Sequence, residues 1–90
     1  MPKVRDAIRR LEQEGSVLKY AVVIERSPYN YAAYVPDLPG CVATGSTRED
    51  VKRNIREAIV LHMEGLREDG WPIPEPQTAT IYAEVGAVTR

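Results

Sequence analysis

Hydrophobic residues in this chain recur with two different periods, and the two periods predict six elements. Spacings of three and four residues are typical of amphipathic helices, whereas strict alternation is typical of strands. The predicted order is helix, three strands, helix and strand, over residues 3–14, 18–25, 30–35, 41–45, 47–69 and 78–85. We therefore expect an α+β fold, α-β-β-β-α-β, in which one antiparallel-rich sheet carries one long helix. The strand over 18–25 is apolar on both faces, which favours a strand that is central in the sheet or covered on both faces.

The turn between the second and third predicted strands contains two prolines. Pro36 and Pro39 have no backbone N–H to donate, so strand pairing should end there. Gly40 can adopt a positive φ that other residues resist. Asp37 is a typical turn residue, and we expect its carboxylate to accept hydrogen bonds from nearby backbone N–H groups. This segment therefore predicts a tight, structurally specified corner.

Capping signals mark both ends of the long helix. Ser46 with Glu49, or Thr47 with Asp50, can form a capping box at its start, and the sequence leaves both pairs open. Gly70 suits the position just after its end. The following segment, 71–76, contains three prolines and should run as extended chain.

Charge and cysteine content exclude several classes of function. The chain has 12 Lys and Arg against 13 Asp and Glu, which does not favour a broad nucleic-acid surface. Basic residues near the N-terminus and at the start of the long helix alternate with acidic ones, as on solvated helix faces. The single cysteine, Cys41, excludes an intrachain disulfide and should pack as a small apolar side chain. No apolar run approaches a membrane span, so the cytoplasm is the expected location.

The titratable residues do not form a pattern typical of a catalytic site. His62, the only histidine, falls on the apolar stripe of the long helix, where a partly buried packing role is favoured over that of a catalytic base. A metal-dependent nuclease would need converging carboxylates. Glu25, Asp37 and Glu84 lie at or near strand ends, but none has a second acid at a helpful spacing on its own strand. We therefore expect no enzymatic activity, no metal and no cofactor.

Aromatic residues beside prolines are the candidates for a contact surface. Trp71 is followed by Pro72 and Pro74, and an aromatic anchor with little conformational entropy is favoured at interfaces. Trp71 can equally cap the core beneath the long helix, and the sequence does not decide between these roles. Alternation places Tyr31 and Tyr34 on opposite faces of one strand, so one can pack under the helix while the other faces a partner or water.

Several of these segments together resemble one protein family. They are the strand Tyr20–Glu25, the strand and turn Tyr31–Cys41, the helix start Gly45–Asp50 and the Asp-Gly-Trp-Pro-Ile-Pro exit ending at Pro74. Over roughly residues 19–85, the chain resembles the N-terminal domain of HicB antitoxins. The resemblance implies a partial RNase H-like fold, self-association and neutralisation of a HicA-type mRNA-cleaving toxin by occlusion. The candidate interface is then Tyr34, Asp37, Trp71, Pro72 and Pro74.

Both ends of the chain differ from that family pattern. Many members carry a C-terminal DNA-binding segment that is not found here, so direct DNA binding is not expected. Residues 1–16 are interpreted as a docking helix beside an antitoxin domain over 17–90; they also resemble the opening helix of a HicA toxin. This helix is hypothesised to occupy the groove that a toxin helix would fill. Alternative functions are a solitary regulatory oligomer, a degenerate nuclease and a nucleic-acid-binding protein using Arg5, Arg9 and Arg10.

Overall fold

One sheet and one helix make up the described part of the chain, residues 17–87 of a computed structural model. In chain order they are β1 (Val23–Arg26), β2 (Tyr31–Tyr34), β3 (Val42–Gly45) and α1 (Arg48–Glu68). The strands pair antiparallel in the order β1-β2-β3, and α1 packs against β3 and β2. The predicted α+β fold, with one long helix on an antiparallel sheet, is confirmed.

Alternation along β2 separates a covered and an open face of the sheet. Ala33 faces the helix and is buried in the core, which is built mainly from one side of the sheet, the 35–41 turn and α1: Ala33, Val35, Leu38, Cys41, Val51 and Ile55. Tyr31 packs against this core, whereas Tyr34 is 42% exposed on the opposite face. The predicted division between the two tyrosines is confirmed.

Two predictions about strands are wrong. Residues 78–85 were predicted as a strand, but they pair with no strand of the described chain. They are extended and exposed. The first strand begins at Val23 and lies at the edge of the sheet, not in its centre. Val22 and Ile24 are apolar because they pack against the core and line a groove beside α1, not because strands flank β1 on both sides. The predicted helix over 3–14 lies outside the described residues.

The proline-containing turn after β2 is two successive turns that share Leu38. The Leu38 amide donates to the Val35 carbonyl, and the Cys41 amide donates to the Leu38 carbonyl, each at 3.0 Å. Each turn has a proline at its second position, where the fixed φ is favourable, and Gly40 follows in the second turn with φ +84°. Because the turns point Leu38 inward, its side chain is 0% exposed. The corner is thus a part of the core.

The start of α1 lies directly against the end of β3. Thr47 is the N-cap, and its Oγ1 accepts from the Asp50 amide at 3.1 Å, which identifies the capping residue among the two predicted pairs. A Cβ placed on Gly45 would lie 2.8 Å from the Cα of Val51 and closer still to its amide nitrogen. Only glycine therefore allows the backbones of β3 and α1 to approach this closely.

Candidate partner-binding surface

The C-terminal end of α1 holds Trp71 in a fixed position on the surface. The Trp71 amide donates to the Leu66 carbonyl at 2.9 Å and the Gly70 amide donates to the Arg67 carbonyl at 3.1 Å, with Gly70 at φ +71°. These paired bonds form a Schellman motif, which satisfies carbonyls of the last helical turn. Trp71 is 65% exposed, so it does not cap the core beneath α1. Pro72, which follows it, is also exposed.

The segment that leaves α1, residues 71–76, passes close to the chain that leads into β1. The Tyr20 hydroxyl donates to the Pro74 carbonyl and joins these two segments. Burial raises the pKa of Tyr20, and the negative charges of Glu75 and Asp37 raise it further. The phenol is therefore held in its neutral, hydrogen-donating form.

Asp37 fixes the chain immediately after this segment. Its Oδ2 accepts from the amides of Gln77 and Thr78, both at 2.9 Å, and its Oδ1 accepts from the Thr78 hydroxyl at 2.8 Å. The backbone and side-chain hydrogen bonds from Thr78, and then the bond from Gln77, lower the pKa of Asp37. Asp37 thus accepts from backbone N–H groups, as predicted, but these donors lie 40 and 41 residues away in sequence and not within its own turn.

The sheet surface opposite α1, which we call the open face, is exposed. The strand register places six side chains on it: Val23, Glu25, Ala32, Tyr34, Val42 and Thr44. Tyr34 pairs with Val23 on one side and with Val42 on the other, so the three make one apolar row across the sheet. Both Tyr34 and Val42 are exposed. A flat surface with an apolar centre and polar neighbours is typical of protein interfaces.

An apolar groove of about 820 Å³ runs between β1 and α1 on the covered face. Val22 and Ile24 line one wall, and Ile55, Ile59 and Met63 line the other. The groove also reaches Val17 and Leu18, the first described residues, and its helix side carries three basic side chains, Lys52, Arg56 and Arg67. The groove exists because α1 covers β3 and β2 but extends little over β1.

The residues considered for catalysis are dispersed. Glu25 is on the open face, Glu84 is in the exposed chain after Thr78, and the Asp37 oxygens bind the donors described above. His62 is half-buried on α1, and Cys41 is buried in the core, where burial raises its pKa. Among residues 17–87, no three His, Cys, Asp or Glu side chains lie close enough together to hold a metal ion.

Two functional features were not predicted from the sequence. The bond from Thr78 to Asp37 joins positions with no periodic relationship, so no local pattern indicates it. The groove follows from the sideways placement of α1 on the sheet, which hydrophobic spacing does not define. The predicted interface residues fall into two groups. Tyr34, Trp71 and Pro72 present exposed side chains, whereas Asp37 and Pro74 make bonds within the chain.

The sequence of this chain is similar to those of known proteins. Over 63 residues the chain is 39% identical to a 14.9 kDa protein of Haemophilus phage HP1, covering 70% of this chain and 47% of the phage protein. It is 35% identical over 65 residues to a UPF0150 protein of Thermoplasma acidophilum, covering 71% of this chain and 94% of that protein. The chain thus spans about half of the phage relative but nearly all of the archaeal one.

A solved structure and a family model agree with these relatives. The structure of a HicA3 and HicB3 toxin–antitoxin complex contains a chain that matches with a TM-score of 0.59 and 33% identity, covering 67% of this chain and 70% of that one. The family model described as HicB_like antitoxin of bacterial toxin-antitoxin system matches residues 20–85, which include the turn with its prolines, α1 and the Asp37–Thr78 contact. This chain therefore belongs to the HicB-like antitoxin family.

Proposed function

We propose that this chain is an antitoxin that neutralises a HicA-type mRNA-cleaving toxin by covering the toxin's active face. The observation that carries the proposal is the family match over residues 20–85, joined to a structural match with a chain from a HicA3 and HicB3 complex. The geometry adds an exposed, partly apolar surface on the open face and at the end of α1. Occlusion needs such a surface and no reactive group.

The proposed contact residues are Tyr34, Trp71 and Pro72. The Schellman motif and the neighbouring proline restrict the backbone of Trp71 before any partner arrives, so its burial loses little conformational entropy. Exposed tryptophan and tyrosine residues are enriched among the side chains that dominate interface energies. Asp37 and Pro74 act indirectly in this proposal, because their hydrogen bonds hold the chain around the contact residues.

Other parts of the proposal follow from the family. The chain acts as a non-catalytic binding module in the cytoplasm, self-associates and has a partial RNase H-like fold. The helix on one face of an antiparallel sheet supports the last point. No helix within residues 17–87 has both the length and the apolar character needed to cross a membrane.

The test is binding to a HicA-type toxin, measured by calorimetry and by protection of RNA from that toxin. Trp71→Ala and Tyr34→Ala should each weaken binding by about tenfold or more, the usual range for an interface anchor. Tyr29→Ala is the matched control, since Tyr29 is 92% exposed at the tip of the β1–β2 hairpin and outside the proposed contacts.

Two results would contradict the proposal. Absence of binding to any HicA-type toxin would favour a solitary regulatory oligomer. RNA hydrolysis by the chain alone that requires a divalent metal and is lost in Asp37→Asn would establish a nuclease instead.

A further inference from the structure

Residues 79–87, which we call the arm, are an extended segment with the composition of a strand but without a strand partner. The exposed fractions of Ile81, Tyr82 and Val85 are 87%, 100% and 86%. Residues alternate along the arm: one side carries Ala79, Ile81, Ala83 and Val85, and the other carries Thr80, Tyr82 and Glu84. This is the pattern of a strand with one face buried.

The arm leaves the body of the chain at a fixed point. Asp37 binds both the amide and the hydroxyl of Thr78, so the residue before the arm is held at the corner between β2 and β3. The nine arm residues can span about 30 Å when extended. This reach exceeds the length of β1, whose four residues span about 13 Å.

The chain also carries a surface that fits such a strand. β1 lies at the sheet edge, with β2 on one side only, and its residue Ile24 and the preceding Val22 form a wall of the groove. The other edge strand, β3, is less accessible. Asn54 of α1 donates to the Thr44 carbonyl of β3 at 2.8 Å, and α1 begins against Gly45. An incoming strand would therefore meet fewer obstacles at β1.

We propose that two copies of this chain exchange arms, each arm pairing with β1 of the other copy. Backbone hydrogen bonds would extend each sheet to four strands, and the side of the arm with Ile81 and Val85 would cover Val22 and Ile24. This deepens the self-association in the proposed function by naming its surfaces, and it does not depend on toxin binding.

A second copy is the occupant because donor and acceptor surfaces lie on the same chain. In a reciprocal exchange about a two-fold axis, each arm pairs with the β1 edge of the other copy. No arm or β1 edge is then left unpaired, so the assembly stops at two chains. The arm has a single charged residue, Glu84. An apolar strand with so little charge is prone to aggregate if left uncovered, so closure within a dimer also removes that hazard.

The test compares the full-length chain with two arm variants by light scattering after size exclusion, over a range of concentrations. The wild type should have twice the 10.1 kDa chain mass, and Ile81→Asp should have the mass of one chain. Thr80→Asp, on the other side of the arm, is the matched control and should remain a dimer. Ile81 is exposed within its own chain, so the variant should keep its circular dichroism spectrum.

Hydrogen exchange identifies the surfaces. Amides of the arm and of β1 should be protected in the wild type and lose protection in Ile81→Asp. Three results would overturn the proposal: a monomeric wild type with a protected arm, which indicates folding back onto its own β1; a monomer with an unprotected arm; or a dimer that Ile81→Asp leaves intact. Toxin affinity measured on Ile81→Asp separates the two proposals, because the contact residues for the toxin are unchanged.

Discussion

The Thr78 hydroxyl donates to Oδ1 of Asp37 at 2.8 Å while the Thr78 amide donates to Oδ2 of the same carboxylate at 2.9 Å. Two residues 41 positions apart are thereby joined through both carboxylate oxygens of Asp37 and two donors of Thr78. The contact closes a loop that contains β3, α1 and the segment 71–76. The corner after β2 therefore fixes the path of the chain that follows the helix.

The Asp37 contact should weaken in acid. The pKa of Asp37 is lowered from 3.8 in the folded chain, because the hydrogen bonds from Thr78 and Gln77 favour the charged form. Stabilisation by this group is complete above pH 3.8 and is lost as the pH falls through the lower folded-state pKa. The amide NMR signals of Gln77 and Thr78 should therefore shift with a midpoint below 3.8. In Asp37→Asn this transition should disappear; its persistence would assign it to another carboxyl group.

Gly45 and Gly65 should respond to alanine in opposite directions. At Gly45 the new Cβ meets the backbone of Val51, which cannot move aside as a side chain can, so we expect a loss of about 1–3 kcal/mol in the free energy of unfolding. At Gly65, within α1, a Cβ meets nothing within 4 Å, and alanine should stabilise the helix by up to about 1 kcal/mol. Urea unfolding of both variants measures this; equal effects would argue against the close approach of β3 and α1.

Thr47 rather than Ser46 should support the start of α1. Thr47→Ala removes the oxygen that accepts from the Asp50 amide and should lower the free energy of unfolding by about 1 kcal/mol. Ser46→Ala, one residue earlier, should change it by less than about 0.5 kcal/mol. Chemical denaturation distinguishes the two variants, and a larger loss of stability in Ser46→Ala would identify Ser46 as the N-cap instead.

Removal of residues 1–16 should alter binding or assembly. Val17 and Leu18, which follow this segment, line the groove between β1 and α1. We expect the truncated chain to show a changed toxin affinity or a changed oligomer size, measured by calorimetry and light scattering. Unchanged values for both would end the docking interpretation.

The sequence predicts most of this fold because its signals are local. Proline at the second position of each turn, a threonine N-cap and a glycine just after α1 act through their immediate neighbours, so the bounds of β2, β3 and α1 were predicted within about one residue. The opposite placement of Tyr31 and Tyr34 follows from strand alternation in the same way.

The remaining features depend on tertiary placement. Residues 78–85 have strand composition, yet a strand exists only when an edge is available, and the described chain pairs none with them. The position of β1 at the sheet edge depends on the order of strands, which apolar content alone does not determine. For the candidate surface, the sequence predicted exposed aromatic residues but not the long-range bonds of Asp37 and Pro74.

The absence of a Cβ at Gly45 has a consequence for recognition. The backbone of β3 at Gly45 contacts the backbone of the first turn of α1 directly, with no side chain between them. Sliding of α1 along β3 at this point would therefore bring two main chains into collision or separate them. A partner that contacts this end of the sheet therefore meets β3 and the first turn of α1 as one preformed unit.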